Sequence, residues 1–215
     1  MAPTKSATGI SMPPRSKPIL PRRQPEKRPP RFQAAFPIVF PFTAMTATAL
    51  IAFGSNLENP VEQVRRAIAA VAALPVIRSL QASSLYLSAP VGYADQPDFV
   101  NAVALVEADC GARKLLHLLQ DIETRFGRVR SFRNAPRTLD LDLIDFAGST
   151  SDDAELTLPH PRAHQRSFVM LPLAEIAPDY PIGSHGRARD LVQALGSTGI
   201  EKLGAAAAKS AAENR

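Results

Sequence analysis

The stretch Ser88-Ala89-Pro90-Val91-Gly92-Tyr93-Ala94-Asp95-Gln96-Pro97 is loop chemistry set between two apolar runs, and its length decides the fold. The run before it, Val76 to Leu87, is rich in β-branched and apolar residues and reads as a strand. The run after it, Asp98 to Glu107, alternates: Phe99, Asn101 and Val103 fall on one face, Val100, Ala102 and Ala104 on the other. A parallel pair would need a helical crossover of roughly a dozen residues or more. This loop is too short for one, so the strands pair antiparallel. With helical patterns on either side, the expectation is an α+β sandwich whose sheet is mainly antiparallel. Asn101 is then a polar group in mid-strand. It is either a solvated edge position or a buried amide that reads a donor and acceptor pattern on a ligand.

Working outward, Ala47 to Phe53 reads as a strand ending at the turn signal Gly54-Ser55-Asn56. Pro60 suits the first turn of a helix, with an apolar stripe of Val61, Val64, Ile68 and Val71 to about Leu74, where Pro75 ends it. Downstream, Gly111 to Phe126 is amphipathic through Leu115, Leu119, Ile122 and Phe126, and Gly127 is placed to stop the helix. Gln120 and Glu123 share a face of it.

The next strand carries the chemistry. In Arg137-Thr138-Leu139-Asp140-Leu141-Asp142-Leu143-Ile144-Asp145-Phe146 the leucines alternate with Thr138, Asp140 and Asp142. Two residues apart on a strand is roughly 6.6 to 6.8 Å, close enough for both carboxylates to ligate one Mg²⁺ or bracket a pair. Asp145 has the parity of the leucines and reads as the frayed strand end, not as a third ligand. An Asp-x-Asp alone is weak, because Arg137 and other bases could simply neutralise it. The loop in front, Gly127 to Arg137, adds Arg128, Arg130 and Arg133 to Arg137. Beside a metal pair these arginines are best explained as an anion clamp, since the planar guanidinium fork matches phosphate oxygens.

Ala147 to Glu155 reads as a polar, acidic loop, and His160 is held between Pro159 and Pro161 before a helix over Gln165 to Ile176 that carries Arg166. Pro178 to about Leu195 supplies a short strand and a helix. Residues 1–44 hold half of the 20 prolines and eight Lys or Arg against one Glu, and read as a disordered extension, with Met45 as an alternative start. Residues 45–203 form the catalytic domain, and 204–215 an Ala-rich frayed tail.

That division settles the meaning of the charge. The extension carries +7 of a total of +5, which leaves −2 on the rest, so the folded part lacks the basic footprint of a nucleic-acid binder. Pro37 and Pro41 interrupt the apolar stretch from Phe32, which argues against a signal peptide, and no membrane partner is expected. The single Cys110 excludes an internal disulfide and points to a cytoplasmic setting. A monomer is the expectation, although nothing in the sequence speaks to the oligomeric state.

Two carboxylates, several arginines and a histidine, without a candidate covalent nucleophile, indicate Mg²⁺-dependent phosphoryl transfer to a small molecule. No Walker A or kinase glycine loop is present. A non-catalytic binding module and a metal-dependent nucleotidyltransferase remain open on the residues alone.

In order along the chain stand Gly54-Ser55-Asn56-Leu57, Pro90-Val91-Gly92 with Asp95 to Asn101, Gly127-Arg128-Val129-Arg130, Pro136 to Asp142, and Leu158-Pro159-His160-Pro161 with Arg166 and Phe168. Over roughly residues 46–185 this order resembles the 6-hydroxymethyl-7,8-dihydropterin pyrophosphokinases of folate biosynthesis. The resemblance implies a ferredoxin-like α+β fold that binds ATP, two Mg²⁺ and the pterin. It implies Asp140 and Asp142 as the magnesium ligands, and Arg128 and Arg137 as basic residues at the transferred diphosphate. Asn101 matches the residue that hydrogen-bonds the pterin, Phe99 and Phe168 the aromatic pair around its ring, and Ser88, Ala89 and Val91 the edge of its pocket. Gln120, Glu123, Leu143, Leu156, Thr157, His160 and Arg166 match positions lining the ATP site. Glu155 and Pro161 depart from the pattern.

Overall fold

The computed structural model describes residues 46–129 and 135–204. The extension over 1–44, the tail from 205 onward, and Arg130 and Arg133 lie outside the described residues.

The first strand, β1 (Ala47–Ser55), runs two residues further than its apolar pattern, and the helix α1 (Pro60–Ala72) follows with the proline at its start. Strand β4 (Phe99–Ala108) pairs antiparallel with the whole of β1 through Val100 to Ala108. The run before the deciding loop is two strands, β2 (Ile77–Ala82) and β3 (Tyr86–Ser88), both antiparallel to β4. A single strand from Val76 to Leu87 is therefore corrected. Ser83 interrupts it: its N–H donates to the Val103 carbonyl, and its Oγ accepts the Val103 N–H at 3.1 Å. The hydroxyl replaces a backbone group in the ladder, and one extra residue slips in.

Helix α2 (Ala112–Arg125) precedes β5 (Asp140–Phe146), which pairs antiparallel with the other side of β1. The acidic loop after it is not wholly irregular, since β6 (Ser151–Asp152) and β7 (Thr157–Leu158) form a small hairpin. A 3-10 turn (Ala163–Gln165) leads into α3 (Ser167–Ile176). The short strand expected after Pro178 is only a bridge between Pro181 and Arg187. A strand comes instead after α4 (Ala188–Leu195), as β8 (Ile200–Lys202) on the edge beside β3. The main sheet runs β5-β1-β4-β3-β8, with β2 also on β4, and every pair is antiparallel.

Helices α1 and α2 cover one face, where Val64, Val71, Leu115 and Leu119 pack on Ile51, Phe53, Leu141 and Leu143. Helices α3 and α4 cover only part of the other, over Leu50, Val103 and Ile144. That is the α+β, ferredoxin-like sandwich expected. Among the described residues no helix is long and apolar enough to cross a membrane.

The reading of Asp145 needs correction. Leu50 pairs with Asp145 and Ile51 with Leu143, so Ile144 is an extra residue in β5. A bulge reverses the alternation beyond it. Asp145 therefore faces the α3 and α4 side with Leu50, is 1% exposed, and accepts the Tyr180 hydroxyl at 2.7 Å and the Gly148 N–H at 3.1 Å.

Candidate active site

Where α3 and α4 stop, three adjacent strands leave the sheet face open. Gly54 of β1 has Asn101 of β4 on one side and Asp140 of β5 on the other, and Ala52 has Val103 and Asp142. At roughly 4.8 Å between neighbouring strands, the Asn101 and Asp140 backbones stand about 10 Å apart. Glycine keeps the floor between them low. A Cβ at position 54 would lie 3.5 Å from Asn101 Oδ1, 3.9 Å from Asp140 Cβ and 4.0 Å from Phe99 Cδ1. The cavity above is about 380 Å³, the size of a small-molecule site.

Its charged wall is β5. Asp140 and Asp142 share a face, as the alternation predicts. Both oxygens of Asp140 are engaged: Oδ1 by Arg128 at 2.6 Å and Oδ2 by Arg137 at 2.7 Å. Asp142, the more exposed of the pair, faces Arg166 at 3.5 Å. Burial raises the Asp140 carboxyl above the usual range, and the Asp142 charge raises it further; Arg137, Arg128 and Arg166 work against both. A like-charged pair taken from water invites a cation.

The arginines are themselves held. Glu123, 3% exposed on α2, accepts the Leu141 N–H at 2.7 Å and pairs with Arg128. Burial raises its carboxyl, and the Leu141 N–H and Arg128 offset that. Arg137 depends on Asn56, where the sequence shows only a turn. The Asn56 Oδ1 accepts the Arg137 N–H at 2.8 Å, while its Nδ2 donates to Gln96 Oε1 and the Pro97 carbonyl. Two loops that border the cavity are thus joined through one side chain that is 2% exposed.

The neutral wall is β4 with the deciding loop. Asn101 is buried, which settles the choice between a solvated edge and a buried amide, and its Nδ2 donates to Ser88 Oγ at 2.9 Å. Ser88, Ala89 and Val91 form the rim above it. Phe99 and Phe168 stand under Arg137 and Arg166, with guanidinium carbons 5.5 and 5.6 Å from the ring centres, so each aromatic ring is tied to the charged wall.

His160 closes the third side. Its N–H donates to the Ile144 carbonyl at 2.7 Å, and its Nδ1 accepts the Arg162 N–H at 3.2 Å. An accepting Nδ1 puts the imidazole proton on Nε2. Burial, then the charges of Arg166 and Arg162, hold its pKa down at about 4; the ring is a neutral donor at physiological pH.

The cavity therefore gathers both aspartates, Arg128, Arg137, Arg166 and His160 with the whole neutral wall. Five residues of the sequence reading do not line it. Leu143 and Leu156 point into the core on the leucine face, Glu123 lies beneath Arg128, and Gln120 and Thr157 stand on α2 and β7, which flank β5. The lining also includes Gln96, Arg162 and Gln165. Gln96 and Arg162 sit in loops and Gln165 ends a three-residue 3-10 turn, all too short or irregular for a periodicity to tell which way a side chain points. Glu155, a departure from the pattern, is engaged on the surface by Arg113 and His117.

Residues 50–178 match the family model described as 7,8-dihydro-6-hydroxymethylpterin-pyrophosphokinase. The chain is 42% identical over 159 residues to the 2-amino-4-hydroxy-6-hydroxymethyldihydropteridine pyrophosphokinase of Pseudomonas aeruginosa, covering 74% of this chain and 98% of that one. It is 43% identical over 156 residues to the Haemophilus influenzae protein of the same name, covering 73% and 98%. In fold it is similar to a crystal structure of Plasmodium falciparum HPPK-DHPS with pteroate. There the TM-score is 0.57 at 12% identity, over 73% of this chain and 46% of that one, so this chain spans about half of that longer protein. A model match across more than half the chain, and relatives above 40% identity covered almost end to end, make this protein a member of the 7,8-dihydro-6-hydroxymethylpterin pyrophosphokinase family.

Proposed function

We propose that this cavity transfers diphosphate from ATP to the hydroxymethyl oxygen of 6-hydroxymethyl-7,8-dihydropterin and releases AMP, with Mg²⁺ held by Asp140 and Asp142. The observation that carries it is the row Asn101-Gly54-Asp140, which sets a neutral, aromatic-lined pocket about 10 Å from a carboxylate pair among arginines. A pterin ring fits the first and a polyphosphate the second.

The donor set suits magnesium. Carboxylates are its hard oxygen ligands, and among the described residues no group of three or more His, Cys, Asp or Glu forms a metal cage. Phosphate oxygens and water would complete the shell, as is usual in phosphoryl transfer. When bound, the ions neutralise charge on the phosphates.

The protein's own residues supply position and charge. Asn101 offers its amide to the pterin edge, Phe99 and Phe168 hold the ring faces, and Ser88, Ala89 and Val91 border it. Arg128 and Arg137, already gathered at Asp140, turn to the diphosphate being transferred. His160 and Arg166 hold the nucleotide's phosphates. Gln120 and Thr157 through their side chains, and Leu143 and Leu156 through their backbone since their side chains are buried, place the adenosine along the outer edge of β5, outside the phosphate cavity. The hydroxymethyl oxygen bonds to the β-phosphorus as the bond from that phosphorus to the oxygen bridging to the α-phosphate breaks. AMP leaves with the bridging oxygen, and the hydroxyl proton passes to water. Holding the two reactants in line is the main source of rate.

Resolving the products of ATP, Mg²⁺ and the reduced pterin tests this. AMP and the pterin diphosphate in equal amounts are expected. ADP would make the protein an ordinary kinase, pyrophosphate a nucleotidyltransferase, and no turnover a binding module.

A further inference from the structure

We infer that Arg162 is a further nucleotide-binding residue, whose guanidinium holds the phosphate chain of ATP in the ground state. The inference rests on the reading of the cavity given above, and it concerns a residue that neither the motif order nor the alternation singles out. Arg162 lines the cavity together with Arg128, Arg137 and Arg166. Those three are committed: Arg128 and Arg137 to Asp140, Arg128 also to Glu123, and Arg166 to Asp142. Among the described residues Arg162 has no carboxylate partner.

The difference matters when a polyphosphate arrives. The aspartates stay in the site, so the three paired arginines divide their charge between carboxylate and phosphate. Arg162 gives up no partner, and its whole charge falls on the ligand. Four arginines against two cavity carboxylates leave the lining at +2, which favours a polyanion.

The backbone under Arg162 is fixed although its side chain is exposed. Its N–H is bonded to His160 Nδ1, its carbonyl accepts the Gln165 N–H at 3.2 Å, and the adjoining Ala163 is fully buried. His160 is anchored in turn on β5 by its N–H at the Ile144 carbonyl. The guanidinium therefore swings from a fixed base two residues past His160 and four before Arg166. Its charge lies near enough to His160 to add, after burial and Arg166, to the lowering of that imidazole. An exposed, uncommitted cation acts on encounter and ground-state affinity, and salt screens it.

The test compares Arg162→Ala, Arg162→Lys and Asp142→Asn by equilibrium titration of the full chain, with MgATP, AMP and the reduced pterin as ligands. Arg162→Ala should raise the Kd for MgATP about tenfold, the scale of one lost charge-assisted hydrogen bond. KM for MgATP should rise in parallel, with kcat within about threefold of wild type, the pattern of a ground-state contact. Affinity for AMP, which lacks the outer phosphates, and for the pterin should hold. Arg162→Lys should recover most of the loss, because a point charge still serves a phosphate. The gap between wild type and Arg162→Ala should narrow as salt is raised. Unchanged MgATP affinity in Arg162→Ala, with affinity lost in Asp142→Asn, would overturn the role of Arg162 alone. So would an equal loss for AMP, or a fall in kcat at unchanged Kd. Wild-type MgATP affinity in both variants would instead overturn the placement of the nucleotide in this cavity.

Discussion

One face of β1 presents Leu50, Ala52 and Gly54 in turn, and the two ends of that row are opposites. At Leu50 the face is closed by α3 and α4, and the neighbouring carboxylate on β5 is Asp145. At Gly54 no described helix covers it, and the neighbouring carboxylate is Asp140. The same strand pair thus carries an aspartate at each end. The closed one is matched by neutral donors, the Tyr180 hydroxyl and a backbone N–H; the open one is matched by two arginines. Neutral donors under cover make a fixed joint. Cations at an open face can exchange a carboxylate for a phosphate, which is what a transfer site requires. Side-chain size along the five residues from Leu50 to Gly54 separates scaffold from site.

The comparison breaks first, if it is wrong, at the open carboxylates. Asp140→Asn and Asp142→Asn should each reduce turnover below detection with the far-ultraviolet circular dichroism unchanged, because removing one charge relieves repulsion while costing a metal ligand. Activity at ordinary Mg²⁺ in either variant would return the pair to a structural role. Arg128→Ala and Arg137→Ala should slow kcat by roughly 10² to 10³, the scale of one preorganised donor, with smaller changes in MgATP affinity. Single-turnover rates beside equilibrium titrations separate those terms.

At the closed end the same logic predicts the reverse. Leu50→Ala should cost about 2 to 5 kcal/mol of stability, read from urea denaturation, with kcat per folded molecule retained. Asn101→Ala should weaken pterin binding by about 1 to 3 kcal/mol, the range for a lost buried polar pairing, and leave MgATP affinity alone. Equal losses for both ligands by calorimetry would mean a folding defect.

The smallest effect concerns His160. Its folded pKa of about 4 lies below the ordinary 6.5, so between those values the unfolded chain binds a proton that the folded chain refuses. The stability contributed by the neutral ring is complete above about pH 6.5 and is lost as pH falls toward 4. His160→Gln should flatten the pH dependence of the urea midpoint in that window. A wild-type imidazole midpoint near 6.5 by NMR would contradict the packing that holds it neutral.

Much of this was legible because alternation is a local property. The Asn101 parity on β4 and the Asp140 and Asp142 parity on β5 follow from counting by twos, and the short loop at Ser88 to Pro97 forces the antiparallel pairing of β3 with β4; their place across Gly54 comes from the register of β4 and β5 with β1. What escaped depends on partners distant in sequence. The bulge at Ile144 exists only in the register with β1, so the Asp145 side chain could not be placed from its own strand. Ser83 breaks the strand before the deciding loop through a bond to Val103. Three residues over Ile200–Lys202 are too few to show a period, yet β3 offers them an edge. The side chains of Leu143 and Leu156 go to the core, so the positions that match the nucleotide site offer it backbone and not side chain. Asn56 joins two loops that no pattern relates.

The most direct measurement of the central claim is metal binding at the open end. Titrating Mn²⁺, a paramagnetic stand-in for Mg²⁺, into the protein with a non-hydrolysable ATP analogue and following free Mn²⁺ by electron paramagnetic resonance counts the bound ions. The wild type should take up two with the nucleotide, and Asp140→Asn and Asp142→Asn should each lose uptake while remaining folded. Wild-type Mn²⁺ uptake in both variants would place the metal elsewhere and contradict the assignment of this sheet face as the transfer site.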